Sequence, residues 1–339
     1  MMTAPLPQRP RSLLRGVLSG VAPAIFILGL ACALIGCASE TDSALAPSQI
    51  VHQGPWAIDD VTGSTIVTPH YVVYTTITDQ HLLESLALVM EGALQRYQDL
   101  APGVPVSDRR MECYVFANRR QWAQFTREKT GDDASLYLHI TRGGYTVGDR
   151  YVVYYIGDAG TLSVAAHEGF HQFAARNFKM RVPPFLEEGL ASMFENVQWD
   201  HGRPIWDLDN NPNRLSSLRI GASAGKLLPL EELAGMHAGQ VVNGPSAGIS
   251  AFYGESWAFA RFLLSQENGK YRPRLQRLLT DAAAGRLEGV IARPTDAVFW
   301  HPSSAKPLLE RYLQVDLKTL DGEFRAYVEA LLDQSVEMN

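Results

Sequence analysis

His167 and His171 stand four residues apart and enclose Glu168-Gly169-Phe170, giving the pattern His-Glu-x-x-His. On a helix, positions four apart share one face a turn above each other, so both imidazoles can bind a single metal ion. Glu168 lies one residue on, about 100° around the axis, where it borders the ion without being a ligand. Two nitrogen ligands beside a carboxylate that can take a proton from water are the parts of a zinc-assisted hydrolysis. The surrounding run speaks against a surface helix. Val164, His167, His171, Ala174 and Phe178 form one stripe, and Leu162, Ala166, Phe170 and Phe173 form a second, apolar one. Only Glu168, Gln172 and Arg176 make a narrow polar strip. A helix of that pattern is mostly buried, and buried histidines need partners.

Catalytic zinc takes three protein ligands and keeps one position open. One solution places a histidine six residues after the second ligand, with a glycine three after it. Here those positions are Asn177 and Ala174, and the pattern fails. The other solution takes a glutamate from the next helix. Val182-Pro183-Pro184 ends one segment, the second proline suits a helical first turn, and Phe185-Leu186-Glu187-Glu188-Gly189-Leu190-Ala191 follows. Glu188 comes after His171 with 16 residues between them, room for the first helix to finish and the second to return beside it. Glu187 is the substitute ligand if that register slips by one.

The elements that must position these groups follow from patterning. His70–Ile77 reads as a strand, Asp79 caps a helix to about Leu100, and Met111–Ala117 is a second strand. Asn118 caps a helix through Lys129, and Arg150–Ile156 is a third strand, either interior or the sheet edge above the cleft. From 196 to about 250 the chain reads as irregular, with short helices at Pro212–Arg219 and Pro229–Met236. Phe252–Leu264 opens a set of helices that continues at Tyr271–Ala284, Ser304–Leu313 and Leu317–Leu332. The expected fold class is α+β, with an N-terminal mixed sheet and a mainly helical C-terminal lobe. The expected boundaries are a leader over 1–36, a flexible tether over 37–50, an N-lobe over 51–197 and a C-lobe over 198–339.

The 339 residues are 46% hydrophobic and 19% charged, a globular composition with enough length for a sizeable core. A pI near 5.9 and a net charge of −6 give no footprint for nucleic acid. The N-terminus stands apart. Arg9, Arg11 and Arg15 precede an uncharged run from Gly16 to Gly36 that ends in Leu34-Ile35-Gly36-Cys37. This is a secretory signal, and its last four residues resemble a bacterial lipobox. That resemblance implies cleavage before Cys37, lipidation of Cys37 and attachment to a membrane. The alternative is an uncleaved anchor, for which 21 apolar residues suffice. Cys32 fits the lipobox less well, because Gly29 stands where an aliphatic residue belongs. Cleavage removes three arginines and no acids, taking the charge from −6 to −9. Ala38 after Cys37 is compatible with sorting to the periplasmic face of the outer membrane. Cys113 alternates with Met111 and Val115 and reads as an inert buried thiol.

His167-Glu168-x-x-His171 followed by Pro-Phe-Leu-Glu-Glu188-Gly-Leu-Ala resembles the gluzincin (peptidase MA-like) zinc metallopeptidases, in particular secreted bacterial proteins with a peptidase-MA-like domain. The likeness covers roughly residues 65–265. It implies a zincin-like fold, one zinc on His167, His171 and Glu188, Glu168 as general base, and a peptide or protein substrate in the cell envelope. The aminopeptidase Gly-x-Met-Glu-Asn sequence is replaced by Gly143-Gly144-Tyr145-Thr146-Val147-Gly148, which favours an endopeptidase. A tetrahedral intermediate needs an oxyanion donor besides zinc. Tyr253, at the start of its aromatic helix, is the first candidate, with Tyr145 and His237 behind it. Glu195 lies two turns past Glu188, either orienting a ligand histidine or simply exposed. Rival readings of the same residues are a zinc hydrolase of a non-peptide envelope substrate and an inactive zincin-like scaffold.

Overall fold

The computed structural model describes residues 24–25, 45–58, 61–140, 143–241, 244–287 and 302–333. The proposed processing site and Cys37 lie outside them. In chain order come β1 (Ala24–Ile25), β2 (His52–Ile58), β3 (Val61–Val67), β4 (Tyr71–Thr75), α1 (Gln80–Leu100), β5 (Met111–Phe116), α2 (Arg119–Thr130) and α3 (Ala134–Leu138). Next are β6 (Gly144–Val147), β7 (Arg150–Tyr154), α4 (Asp158–Asn177), α5 (Pro184–Ser192), β8 (Val197–Asp200) and β9 (Arg203–Trp206). The helices α6 (Pro212–Ser223), α7 (Leu230–Ala234), α8 (Ala238–Val241), α9 (Ser246–Gly269), α10 (Arg272–Ala284), α11 (Ala305–Leu313) and α12 (Leu317–Asp333) complete the described chain.

The large sheet runs β1-β6-β7-β5-β4-β3-β2. β5 is parallel to β4 and β7, and the remaining pairs are antiparallel, so the sheet is mixed as expected. Its two parallel connections pass through helices, the route a parallel crossover requires. α1 and α4 cover one face over the main core, while α2 and α3 cover part of the other over a smaller aromatic core around Trp122, Tyr137 and Tyr145. Asp79 and Asn118 cap α1 and α2 as read from sequence, each accepting a backbone N–H three residues on.

Four features depart from expectation. β7 is an interior strand between β6 and β5, one of the two expected readings, but its neighbour β6, which lies between β7 and β1, is a strand that patterning missed. The pairs β2–β3 and β8–β9 were also missed, and β8 straddles the expected lobe boundary at 197/198. That boundary is no gap in packing, since one core runs from Val73 and Val153 through Phe170 to Phe259 and Phe324. Finally, the described end of the tether is held in place. Ala46 N donates to Gly202 O at 2.9 Å, and Ile50 packs against the core. Among the described residues, no helix is long and apolar enough to cross a membrane.

Candidate metal centre

α4 is buried on nearly every side from Thr161 to Ala174, which puts both histidines inside the molecule. α1 lies hard against it. The Tyr97 hydroxyl donates to the Ala166 carbonyl, and a Cβ at Gly169 would stand 2.8 Å from that hydroxyl oxygen. The chain then turns through Lys179–Pro183, and α5 enters with Pro184 in its first turn. α5 is pressed onto α9, where a Cβ at Gly189 would lie 2.1 Å from the Ser256 carbonyl oxygen. Glycine directly after Glu188 therefore lets the two helix backbones touch and brings the glutamate to the histidines.

His167 Nε2 and His171 Nε2 are 3.2 Å apart, and Glu188 Oε2 stands 3.4 Å from the first and 3.5 Å from the second. For zinc–ligand bonds of 2.0–2.1 Å, the edge of a tetrahedron is about 3.3–3.4 Å. The triangle thus has the size of one face of a zinc site. The other ring nitrogens define the tautomers. His171 Nδ1 is 3.0 Å from Glu187 Oε1, and His167 Nδ1 is 2.8 Å from Glu195 Oε1. A carboxylate can only accept, so each Nδ1 carries the proton and each Nε2 turns a lone pair inward. Glu188 Oε2 is buried without a hydrogen-bond partner. Three electron-pair donors facing one point at this spacing fit a cation, and the donor set is that of zinc. His167, His171 and Glu188 are the one buried metal-capable group among the described residues.

Without a cation, protons take its place. Burial opposes charge on His171, yet the Glu188 carboxylate and the hydrogen bond to Glu187 outweigh it and raise the imidazole to about 10. Burial likewise works against the Glu188 carboxylate, but His171 and His167 hold it down at about 2. Glu168 is fully buried. Its Oε2 accepts from the Thr146 hydroxyl at 2.7 Å, and its Oε1 has no partner. Burial pushes its carboxyl above the usual range, opposed by the two histidines.

The residues that sequence reasoning treated as uncertain receive clear positions. Glu187 is the Nδ1 partner of His171, clamped by Arg181 through contacts of 3.0–3.2 Å. Glu195, for which plain exposure was the favoured expectation, is 5% exposed and holds His167. Arg214 reaches Glu195 with Nε at 2.8 Å and Nη2 at 2.5 Å, and Asn211 Nδ2 adds a bond of 2.9 Å. Asn211 also caps α6 through Arg214 N, so a single helix start delivers both groups. Tyr253 stands two turns inside α9 rather than at its start, and the Arg214 guanidinium lies 4.8 Å over its ring. Tyr145 turns away from the metal group, because its hydroxyl donates to Thr126 Oγ1 within the aromatic core on the opposite sheet face. His237 is half-buried just before α8. Asn177 ties back to Phe173 O at the end of α4, consistent with the failed three-histidine pattern. Cys113 is fully buried, and burial raises its thiol pKa, as an inert cysteine requires. Thr146, Arg181, Asn211 and Arg214 were not foreseen, since only tertiary contact relates them to the motif. No protein-family model matches the chain, and no curated protein matches it in sequence.

Proposed function

We propose that this chain is a zinc-dependent endopeptidase of the gluzincin kind, with a zincin-like fold, held by a lipid on Cys37 at the periplasmic face of the outer membrane and cutting peptide bonds in the cell envelope. The observation that carries the reading is the convergence of His167 Nε2, His171 Nε2 and Glu188 Oε2, with Glu168 fully buried on the same helix and one of its oxygens unpartnered. Those three residues would hold the ion. When bound, zinc supplies a Lewis acid that makes water more acidic and polarises a carbonyl.

The chain's own groups supply the rest. Glu168 is the proton carrier, taking a proton at its unpartnered Oε1 and returning it to the leaving amine. Its raised pKa suits a group that must hold that proton briefly. The Thr146 hydroxyl occupies Oε2 and so decides which oxygen works. Glu187 and Glu195 keep both imidazoles in the donor tautomer and orientation. Tyr253 is assigned the hydroxyl that stabilises the developing oxyanion. What supports that role is its place beside Arg214, which already braces the His167 side of the site.

The test joins metal content to activity. Purified protein should carry about one zinc per chain, and Glu168→Gln should keep the zinc while losing about 10³-fold in casein hydrolysis. A variant that cleaves as fast as wild type, or protein that takes up no zinc, removes the reading. Release of products from cell-wall fractions but not from casein would move it to a non-peptide substrate.

A further inference from the structure

α10 and α11 pack together and leave a cleft of about 1060 Å³ between them. Two hydrogen bonds span it. Tyr312 donates its hydroxyl to Asp281 Oδ2 at 2.9 Å, and Arg274 Nη1 donates to the Leu313 carbonyl. The helix spacing is therefore set before anything enters. Four arginines line the cleft, Arg274, Arg277, Arg286 and Arg311, against two acids, Asp281 and Glu310. Four cations less two anions leave the lining at +2, in a chain whose net charge is −6. Both acids are already engaged. Glu310 Oε1 accepts Leu317 N at 2.9 Å. Asp281 serves Tyr312 and also Arg286, whose Nε and Nη2 stand 2.8 and 2.5 Å from Oδ1. Gly285 permits this pair, because its φ of 73° closes α10 and brings Arg286 N back to Asp281 O. Arg277 shares the same carboxylate at 3.8 Å, and its side chain is 76% exposed. Arg311 is exposed and makes no ion pair among the described residues.

A concave wall with surplus positive charge attracts anions. Guanidinium groups match the oxygens of phosphate in a planar fork, a geometry an ammonium cannot offer. The cleft has the size of a site for a whole small molecule, far larger than phosphate alone. The exposed amide of Gln314, on the same wall, can hydrogen-bond hydroxyl groups. We propose that the α10–α11 cleft binds the phosphate ester of a small polyol, with Arg277, Arg286 and Arg311 on the phosphate and Gln314 on the hydroxyl groups. Glycerol phosphate is the simplest such ligand. The same chemistry occurs as a free monoester and as the headgroup of phosphatidylglycerol. The cleft shares no residue with the metal group, so it stands or falls apart from the peptidase reading.

The experiment is calorimetric titration of the full chain in a neutral detergent. The probes are glycerol 3-phosphate, monomeric dihexanoyl phosphatidylglycerol and, as the zwitterionic control, dihexanoyl phosphatidylcholine. At least one of the first two should bind, and the choline ester should not. Arg277→Gln and Arg311→Gln alter exposed side chains, so the melting temperature should hold while each weakens binding about tenfold or more. Arg96→Gln, at a half-exposed arginine of α1 outside the cleft, should change nothing. Binding of glycerol 3-phosphate alone assigns the cleft to a soluble ester, and binding of the lipid alone to a headgroup; both outcomes support the site. No heat with either anion overturns it. Equal binding of the choline ester, or equal weakening by Arg96→Gln, also overturns it, because the attraction would then be general to the surface.

Discussion

His167 and His171 each make contacts at both ring nitrogens, and each has its own buried carboxylate and arginine behind it. Arg181–Glu187–His171 and Arg214–Glu195–His167 are parallel chains with different exposure: the Arg181 side chain is 24% exposed and that of Arg214 4%. Glu187→Gln and Glu195→Gln should each weaken zinc binding by about 10–100-fold, measured by chelator competition. Their effects on stability should diverge. Glu195→Gln leaves Arg214 buried without its anion, at a cost of about 3–5 kcal/mol, whereas Arg181 can turn to water. Equal losses in chemical denaturation would contradict this account. The same pair has a pH signature. Burial opposes the Glu195 carboxylate, and Arg214 and His167 outweigh it, holding the group at about 2. A folded pKa below the ordinary 4.5 means the stabilisation is complete above about 4.5 and is lost as pH falls toward 2. Melting temperature should therefore drop through this window in the wild type and change less steeply in Glu195→Gln. Sequence offered the role of Glu195 only as one of two readings, for a local reason. α5 stops at Ser192 and the chain turns, so helical periodicity counted from Glu188 does not carry as far as position 195.

At the scale of elements, the site depends on three helix backbones in near contact. α5 meets α9 at Gly189 and Ser256, while α9 meets α6 at Gly254, where a Cβ would lie 2.5 Å from Leu218 N. α9 is thus the spacer between the helix carrying Glu188 and the helix carrying Arg214. Gly189→Ala should destabilise by about 1–3 kcal/mol through overpacking and lower zinc affinity by shifting the adjacent ligand. Gly248→Ala provides the control: it lies in the same long helix α9 with nothing within 4 Å of the added carbon, so a loss there would sink the explanation. Glycine was informative in sequence at Glu188-Gly189, but its reason, the Ser256 carbonyl, lies 67 residues away. β6 shows the opposite case. Four residues flanked by glycines show no readable alternation, and the strand exists because β7 offers it a ladder.

At the scale of the whole molecule, sheet and helices share one main core, and the metal group sits where α4 meets α5, with Arg214 of α6 reaching it through Glu195. A cation held there would tie α4 to α5 and bind only the folded chain. Stripping it with a chelator should lower the melting temperature by about 5–15 °C, and added zinc should restore it. An unchanged melting curve would mean that the three donors hold no ion.

Sequence by itself determined what is local and periodic: the His-Glu-x-x-His face of a buried helix, two capped helices, the strands with branched and aromatic runs, and the proline-led start of the Glu188 helix. Spacing along one helix is set by covalent geometry, so His167 and His171 could be paired from residue numbers alone. Which glutamate completes the triangle, which ones hold the histidines, and which strand forms the edge were decided by tertiary structure. Those choices depend on how closely backbones approach at Gly189 and Gly254, and on the turn after Ser192 that carries Glu195 to His167. Contacts between residues far apart in the chain are selected by packing of the whole core, and no local pattern encodes them.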